Sequence, residues 1–350
     1  MLHFDTDYMR GACEEIIQKL VTSNFEQTVG YGLDEYCKRA KELILEACGL
    51  EKGDVYFLVG GTQTNATVID GLLSKHQGVL AADTGHINVH ESGAIEASGH
   101  KVLALPSYNG KVKAEDVETY IKEFYADESF EHMVFPGMLY ISFPTEMGTV
   151  YSLQELKQLY SVCKNADIPL YIDGARMGYG LMAEGNDVTL KDIAENSDVF
   201  YIGGTKVGAL FGEAVVVRNT KYLRHFFPLI KQHGALLAKG RLLGMQFETL
   251  FTDNLYFRLS KNAIDRAMEI KHALISKGYE PYSDSTTNQQ FFNMPNETID
   301  ALKQNVSFEI WGARGEKQSL VRFVTDWSTT KEDVDKLISY LDLLYKVSAE

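Results

Sequence analysis

The first two-thirds of the sequence alternate short apolar runs with amphipathic helical patterns, and this alternation constrains the fold more than any other feature. The predicted strands are residues 55–59, 79–82, 101–105, 139–142, 169–172, 198–202 and 214–217. Residues 34–48 have apolar side chains at helical spacing before Gly49, and Ser152 with Glu155 forms a capping-box pattern that opens another helix. Such alternation predicts an α/β fold with a mostly parallel sheet covered by helices.

The pattern changes near residue 234. A mixed helical stretch runs to about residue 277, and strands are predicted at residues 290–294, 307–311 and 320–324. Thr330 and Asp333 then open a closing helix. We therefore expect two units: residues 1–245, an N-terminal arm with a large domain, and residues 246–350, a small C-terminal α/β domain.

Composition and charge exclude several classes of protein. The chain has 34 Lys and Arg against 48 Asp and Glu, a net charge of −14, which argues against a general nucleic-acid binder. No run approaches the roughly 20 apolar residues of a membrane helix, and no secretory signal is visible. Four cysteines without CxxC or metal-ligand spacing predict buried thiols. We expect a cytoplasmic protein with no nucleic-acid, membrane or metal partner.

Three polar features follow predicted strands. Gly60–Gly61–Thr62 joins a strand to a helix, where backbone N–H groups can bind an anion, although a plain tight turn would look the same. Asp173 ends an apolar strand, where ligands bind in open α/β sheets, and its alternative role is a helix N-cap. Lys206 follows another strand among small and apolar residues, which favours a reactive amine over a surface lysine.

Together these features suggest a site for pyridoxal 5′-phosphate. The Lys206 amine would attach the cofactor, the Asp173 carboxylate would pair with the pyridinium nitrogen, and the turn at Gly61 and Thr62 would bind the phosphate. A dinucleotide site is disfavoured because the turn is not GxGxxG.

The sequence resembles the L-threonine aldolase family over nearly its whole length. The matching motifs are Gly61-Thr62-Gln63-x-Asn65, His86-x₄-Glu91-x-Gly93, Asp173-Gly174-Ala175-Arg176, Thr205-Lys206 and Val321-Arg322-Phe323-Val324-Thr325. The resemblance implies an aspartate-aminotransferase-like fold within the β-eliminating lyases. It also implies a carbon–carbon lyase that uses pyridoxal phosphate to cleave a β-hydroxy-α-amino acid, such as L-threonine or L-allo-threonine, to glycine and an aldehyde.

The resemblance also implies roles for individual residues. Those implied to bind the cofactor are Gly61, Thr62, Gln63, His86, Asp173, Arg176, Thr205 and Lys206. His86 would stack on the pyridine ring, and Arg176 with Arg322 would bind the substrate carboxylate. Thr6 stands at the position of a family serine that helps to bind that carboxylate.

Family sites lie between subunits, so the resemblance implies a homodimer or homotetramer. Tyr31 lies in a segment that reaches a neighbouring subunit's site. Lys231 and Lys239 lie in a region that in the family offers a cation to the neighbour's cofactor phosphate, although each could equally be a solvated lysine.

One departure from the family concerns the substrate side chain. A family histidine beside the scissile hydroxyl is replaced by Glu146, within Pro144–Gly148, and His90 stands where the family more often has an aromatic residue. Glu146, His90 or a bound water would therefore act as the base on the β-hydroxyl. The alternative is another lyase or deaminase of the β-eliminating type, or an aminotransferase, with the same cofactor and fold.

Overall fold

Helices and strands alternate along the chain as the sequence predicts. The computed structural model describes the backbone of residues 1–349 and the side chains of residues 1–345. The strands are β1 (Leu2–His3), β2 (Asp54–Leu58), β3 (Gln77–Ala82), β4 (Val102–Leu105), β5 (Phe135–Ser142), β6 (Leu170–Asp173), β7 (Val199–Gly203), β8 (Glu213–Val217), β9 (Gln289–Pro295), β10 (Val306–Ser307), β11 (Glu309–Ile310) and β12 (Gln318–Val324). The helices are α1 (Glu14–Thr22), α2 (Glu35–Ala47), α3 (Gly61–Leu72), α4 (His86–Val89), α5 (Ala94–Ala97), α6 (Ala114–Ala126), α7 (Leu153–Asn165), α8 (Met177–Leu181), α9 (Leu190–Glu195), α10 (Phe226–Gln232), α11 (Arg241–Phe251), α12 (Leu255–Ser276), α13 (Asn296–Leu302) and α14 (Lys331–Ala349).

A seven-stranded sheet has the order β2-β8-β7-β6-β5-β3-β4. Strands β4, β3, β5, β6 and β7 pair in parallel, and β8 runs antiparallel to both of its neighbours. The predicted mostly parallel sheet is therefore confirmed. Because parallel strands share a direction, the carboxyl ends of β3, β5, β6 and β7 meet at one edge of the sheet.

Helices cover both faces of this sheet. Along β6, Leu170 and Ile172 belong to one buried cluster and Tyr171 belongs to the other. Helices α2 and α7 contribute to the first cluster, for example through Ile44 and Leu156. A strand buried on both faces has apolar residues at successive positions, which explains the unbroken apolar runs in the sequence.

Local signals set several helix ends where the sequence predicts them. Asp34 is the N-cap of α2, and its carboxylate accepts a hydrogen bond from the Cys37 backbone N–H at 2.9 Å. Ser152 and Glu155 form the predicted capping box of α7. The thiols of Cys13, Cys37, Cys48 and Cys163 are free and buried, as predicted.

The C-terminal unit combines the antiparallel sheet β11-β12-β9 with α13, α14 and part of α12. The N-terminal strand β1 pairs with β10, and Phe4 is buried in the core of this unit. Residue 245 lies within α11, which packs on α2. The division of the chain at residue 245 stays a prediction.

Two predicted elements differ from the structure. The single strand predicted at residues 307–311 is wrong, because Phe308 turns into the core and stacks on Phe323 at 4.7 Å, separating β10 from β11. The helical stretch beyond residue 234 is divided by Asp253 and Asn254, whose φ angles of 52° and 56° end α11 and allow α12 to begin in a new direction. No helix within residues 1–349 is long and apolar enough to cross a membrane.

Candidate active site

Two glycines let the ends of β6 and β7 approach closely. The Gly203 N–H donates to the Gly174 carbonyl at 2.8 Å. A Cβ atom on Gly174 would lie 2.0 Å from the Tyr201 carbonyl oxygen, and one on Gly203 would lie 2.4 Å from the Ala175 carbonyl oxygen. Any larger residue would push the two strand ends apart. The glycines therefore bring Asp173, which ends β6, close to the loop that follows β7.

Two adjoining cavities open at this edge of the sheet. The first, of about 140 Å³, is lined by the predicted site residues Gly61, Thr62, His86, Glu146, Asp173, Arg176 and Lys206. The second, of about 260 Å³, shares His86, Glu146, Arg176 and Lys206 and adds His90 and Arg322. The structure thus brings together residues that follow β2, β3, β5, β6 and β7 and, through Arg322, a residue of β12.

Asp173 is a buried carboxylate held by several donors. It accepts hydrogen bonds from the Tyr140 hydroxyl at 2.7 Å, from Asn65 Nδ2 at 2.9 Å and from the Ala175 N–H at 2.9 Å. Burial alone would raise the pKa of Asp173, but the charge of His86 and these donors hold it below its ordinary value. Asp173 is therefore ionised at neutral pH. It is not the N-cap of α8, which is Arg176.

A polar chain connects Asp173 to His86. The Asn65 amide nitrogen that binds Asp173 also donates to Glu91 Oε1 at 2.7 Å. The same Glu91 oxygen lies 2.7 Å from His86 Nδ1. Burial opposes protonation of His86, but the hydrogen bond to Glu91 and the charge of Asp173 raise its pKa. The sequence assigns no role to Asn65 or Glu91, although both lie within the motifs that carry the family resemblance.

Lys206 lies at the cavity as an unpaired amine. Its backbone carbonyl is fixed by the Tyr179 hydroxyl at 2.6 Å, while its Nζ atom makes no hydrogen bond or ion pair within the described side chains. Burial and the charge of Arg176 lower the pKa of Lys206. Lys206 is partly buried and lines both cavities, so the alternative of a surface lysine does not fit this position. A lowered pKa favours the neutral amine, which is the nucleophilic form.

Glu146 lines both cavities, whereas His90 lines only the second. Glu146 Oε1 accepts hydrogen bonds from Ser142 Oγ at 2.6 Å and from the His86 N–H at 2.9 Å, and burial raises its pKa. His90 is more exposed, and its ring centre lies 5.8 Å from that of Trp311. Partial burial and the neighbouring positive charges lower the pKa of His90.

Both predicted carboxylate-binding arginines already contact carboxylates of the chain. Arg176 binds Asp7 with both nitrogens of a fork, Nε to Oδ2 at 2.6 Å and Nη2 to Oδ1 at 3.0 Å. Arg322 donates from Nη1 to Gln289 Oε1 at 2.8 Å and from Nη2 to Glu309. Sequence reasoning missed Asp7, whose only signal is its place beside Thr6.

Other predicted residues lie outside these two cavities in the described structure. Gln63 bridges the Val59 N–H at 3.4 Å and the His233 carbonyl at 3.3 Å, and Thr205 Oγ1 donates to Glu213 at 2.8 Å. Thr6 is half-buried beside Asp7 without lining either cavity. The cofactor and carboxylate contacts expected of Gln63, Thr205 and Thr6 stay predictions.

The residues predicted to reach a neighbouring subunit form an exposed surface. Tyr31 is 44% exposed, and the Lys231 ammonium lies 4.8 Å from its ring centre. Lys239 is also exposed. An exposed position is compatible with contact to a second copy, and the roles of these residues stay predictions.

The first cavity has the donor and acceptor set that pyridoxal 5′-phosphate requires. On this cavity α3 begins at Gly61 without a side-chain cap, so the first N–H groups of the helix are available to a phosphate. The ionised Asp173 and the unpaired Lys206 amine line the same cavity. Within the described residues, no group of three or more His, Cys, Asp or Glu side chains is arranged to hold a metal ion.

The sequence and the fold are both similar to those of known proteins. The family model of the β-eliminating lyases matches residues 3–297. A low specificity L-threonine aldolase from Pseudomonas is 27% identical over 342 residues, which cover 95% of each chain. A solved threonine aldolase from Leishmania major is 38% identical, with a TM-score of 0.95 over 99% of this chain and 100% of that one. Aspartate aminotransferase from Thermus thermophilus, at 14% identity, covers 98% of this chain and 91% of its own with a TM-score of 0.70, so the two share the fold. The chain therefore belongs to the β-eliminating lyase family, where its relatives include the L-threonine aldolases.

Proposed function

We propose that the protein is a pyridoxal-phosphate-dependent lyase that cleaves a β-hydroxy-α-amino acid, such as L-threonine or L-allo-threonine, to glycine and an aldehyde. The observation that carries this proposal is the unpaired Lys206 amine, which lines the same cavity as the ionised carboxylate of Asp173. The relatives named as threonine aldolases support the choice of reaction.

The cofactor would be held at three points. The Lys206 amine would attach it, and the first N–H groups of α3 at Gly61 and Thr62 would bind its phosphate. The ionised Asp173 would keep its ring nitrogen protonated, and the buried hydrogen bonds from Tyr140 and Asn65 keep that carboxylate in place. The bound cofactor supplies a protonated ring that withdraws electrons from the bond that breaks.

The substrate carboxylate would bind at Arg322 and be oriented by the nearby charge of Arg176. Both arginines are engaged, but their partners differ: the Asp7 side chain has no exposed surface, whereas that of Glu309 is 43% exposed. A solvated carboxylate is displaced more readily than a buried one, because water can receive it. We therefore infer that the substrate replaces Glu309, and that Asp7 stays on Arg176.

The base that takes the β-hydroxyl proton would be Glu146. Ser142 Oγ and the His86 N–H both bind Oε1, which fixes the carboxyl group and leaves Oε2 available to a substrate. Burial raises the pKa of Glu146, and a carboxylate with a higher pKa is a stronger base than an exposed one. His90, which lines the adjoining cavity, is the alternative base.

We also propose that the protein is a cytoplasmic homodimer or homotetramer. The exposed Tyr31, Lys231 and Lys239 would then face a neighbouring subunit. Light scattering coupled to size-exclusion chromatography measures the assembly, and a monomer at working concentration would contradict this part of the proposal.

The first experiment is the absorption spectrum of the purified protein before and after borohydride reduction, followed by identification of the labelled peptide. We expect a visible band of bound cofactor that reduction fixes on Lys206, and the Lys206→Ala variant should lack both. A colourless protein that takes up no added pyridoxal phosphate would exclude the proposed function.

The second experiment identifies the reaction. Threonine, allo-threonine and phenylserine are supplied, and glycine with aldehyde is measured against keto acid with ammonia. Glycine and aldehyde in equal amounts are expected. Keto acid and ammonia would instead identify a deaminase or an aminotransferase of the same fold.

A further inference from the structure

A buried carboxyl group that the proposed reaction does not use lies beside the loop of the reactive lysine. Glu213 is the first residue of β8 and pairs with Gly203, the last residue of β7, three positions before Lys206. Its exposed fraction is 3%. The carboxyl group is therefore excluded from water at the point where the lysine loop begins.

The hydrogen bonds of Glu213 do not suit an ionised carboxylate. Glu213 Oε1 accepts from Thr205 Oγ1 at 2.8 Å, and Thr205 Oγ1 in turn accepts from the Gly212 N–H at 3.0 Å. Glu213 Oε2 is buried without a partner, and no ion pair to this carboxyl group exists in the described part of the chain. A buried carboxylate needs an ion pair or several donors. A protonated carboxyl group needs only an acceptor for its O–H, and Thr205 Oγ1 can accept that hydrogen bond while it donates to the Gly212 carbonyl at 3.5 Å.

The surrounding charges favour the same form. Titratable groups that interact with Glu213 include Lys206, Asp173, Tyr171, Tyr201 and Tyr256, and Lys206 in turn interacts with Arg176, Asp7 and Asp173. Burial raises the pKa of Glu213 to about 8, and the charge of Asp173 adds to this shift. The interactions with Thr205, with Lys206 and with the Gly204 backbone N–H only partly offset it. Burial also lowers the pKa of Lys206. Each shift favours the uncharged form of its group.

We propose that Glu213 is a protonated, uncharged carboxylic acid when the Lys206 amine is free to attach the cofactor, and that its neutrality spares this amine a further negative charge that would favour the ammonium form. An ionised Glu213 would stabilise the ammonium form of Lys206 and slow its attack on a carbonyl carbon. Glu213 is a positioning residue, since it contacts Thr205 and acts on Lys206 through its charge state. The proposal rests on the reactive role of Lys206 in the proposed function.

The test measures Lys206 alone, in cofactor-free protein. Trace acetic anhydride labels neutral lysines, and mass spectrometry gives the labelling rate of the Lys206 peptide between about pH 6 and pH 10, with exposed lysines as internal reference. The wild type is compared with Glu213→Gln, which keeps an oxygen to accept from Thr205 but cannot ionise. Asp300→Asn, on the surface beside Arg314, is the control for a removed negative charge.

At pH 7 the Lys206 labelling rates of Glu213→Gln and wild type should agree within about threefold, which corresponds to a difference of about half a unit in the pKa of Lys206. Above about pH 8 wild-type Lys206 should label more slowly than the variant, because Glu213 then carries a charge. A variant more than about threefold faster at pH 7 would show that Glu213 is already ionised there and would overturn the proposal. Curves that coincide over the whole range would overturn it as well.

The wild-type curve provides a second measurement if the variant does not fold. With Glu213 ionising in the same range, Lys206 labelling should rise more slowly above about pH 8 than a single titrating amine would. A single-site curve would contradict the proposal. Neither cofactor nor substrate enters the labelling measurements. A labelling result that overturns the neutral Glu213 would therefore not contradict the proposed lyase activity, and an inactive protein would still give an interpretable labelling curve.

Discussion

The ion pair between Asp7 and Arg176 allows a quantitative test of how much burial adds to an arginine–carboxylate contact. The chain contains a second pair with two contacts, in which Arg314 Nη2 donates to both Asp300 oxygens at 2.8 and 2.7 Å. The side chains of Asp7 and Arg176 are 0% and 14% exposed, whereas those of Asp300 and Arg314 are 60% and 43% exposed. Both pairs join a guanidinium group to a carboxylate, and they differ in their exposure to water.

Asp7→Asn should lower the free energy of unfolding by about 3–5 kcal/mol, the usual effect of leaving a buried charge without its partner. The amide would also turn an N–H₂ group toward donors, since Arg176 and the Asn288 amide both point at Asp7. Asp300→Asn should cost about 0.2–1 kcal/mol, because water solvates the freed Arg314. Urea denaturation at neutral pH measures both variants against the wild type.

The pH dependence of the free energy of unfolding provides a second test of the Asp7–Arg176 pair. Burial alone would raise the pKa of Asp7, but the charges of Arg176 and Lys206 outweigh it and hold the pKa below the ordinary value of 3.8. A lowered pKa stabilises the fold above the unfolded value, and this contribution is lost as pH falls toward the folded value. The difference between wild type and Asp7→Asn should therefore persist to about pH 4 and shrink below it. Equal destabilisation by Asp7→Asn and Asp300→Asn would refute the reasoning.

Three further substitutions test the site. Glu146→Gln should lower the turnover rate and remove the acid limb of the pH–rate profile, because burial raises the pKa of Glu146 and a base works only above its pKa. A variant that keeps the acid limb would exclude Glu146 as the base. Asp173→Asn should weaken retention of pyridoxal phosphate by about 10- to 150-fold in equilibrium dialysis, as expected for a lost bond to a charged group, and unchanged retention would argue against its pairing with the ring. Arg322→Lys should raise KM for the amino acid by about tenfold with little change in kcat, because lysine lacks the guanidinium fork, while the surface control Arg314→Lys should change neither value.

The positions of Asp173 and Lys206 could be predicted because each follows an apolar run that is buried on both faces. Parallel strands place such residues at one edge of the sheet, whatever the loops between them do. The same argument locates His86 after β3 and Glu146 after β5. Sequence periodicity thus predicts the sheet and the edge at which the two cavities open.

The partners of these residues could not be predicted in the same way. Arg176 binds Asp7 across 169 positions, and periodicity does not specify which of many carboxylates will meet a given arginine. The pairing of β1 with β10 likewise depends on a tertiary contact between the two ends of the chain. Asn65 and Glu91 were present in recognisable motifs, yet their shared hydrogen bond exists only once α3 and the loop after α4 are packed together.

The position of Trp311 gives the protein an intrinsic fluorescent reporter. The chain has two tryptophans, and the second, Trp327, packs against the large buried cluster. The Trp311 ring centre lies 4.5 Å from the Arg322 guanidinium carbon, and the ring lines the cavity together with Glu309. An exchange of Glu309 for a substrate carboxylate alters the electric field at the indole, which shifts its emission. A Trp327→Phe chain would therefore signal amino-acid binding without any added dye.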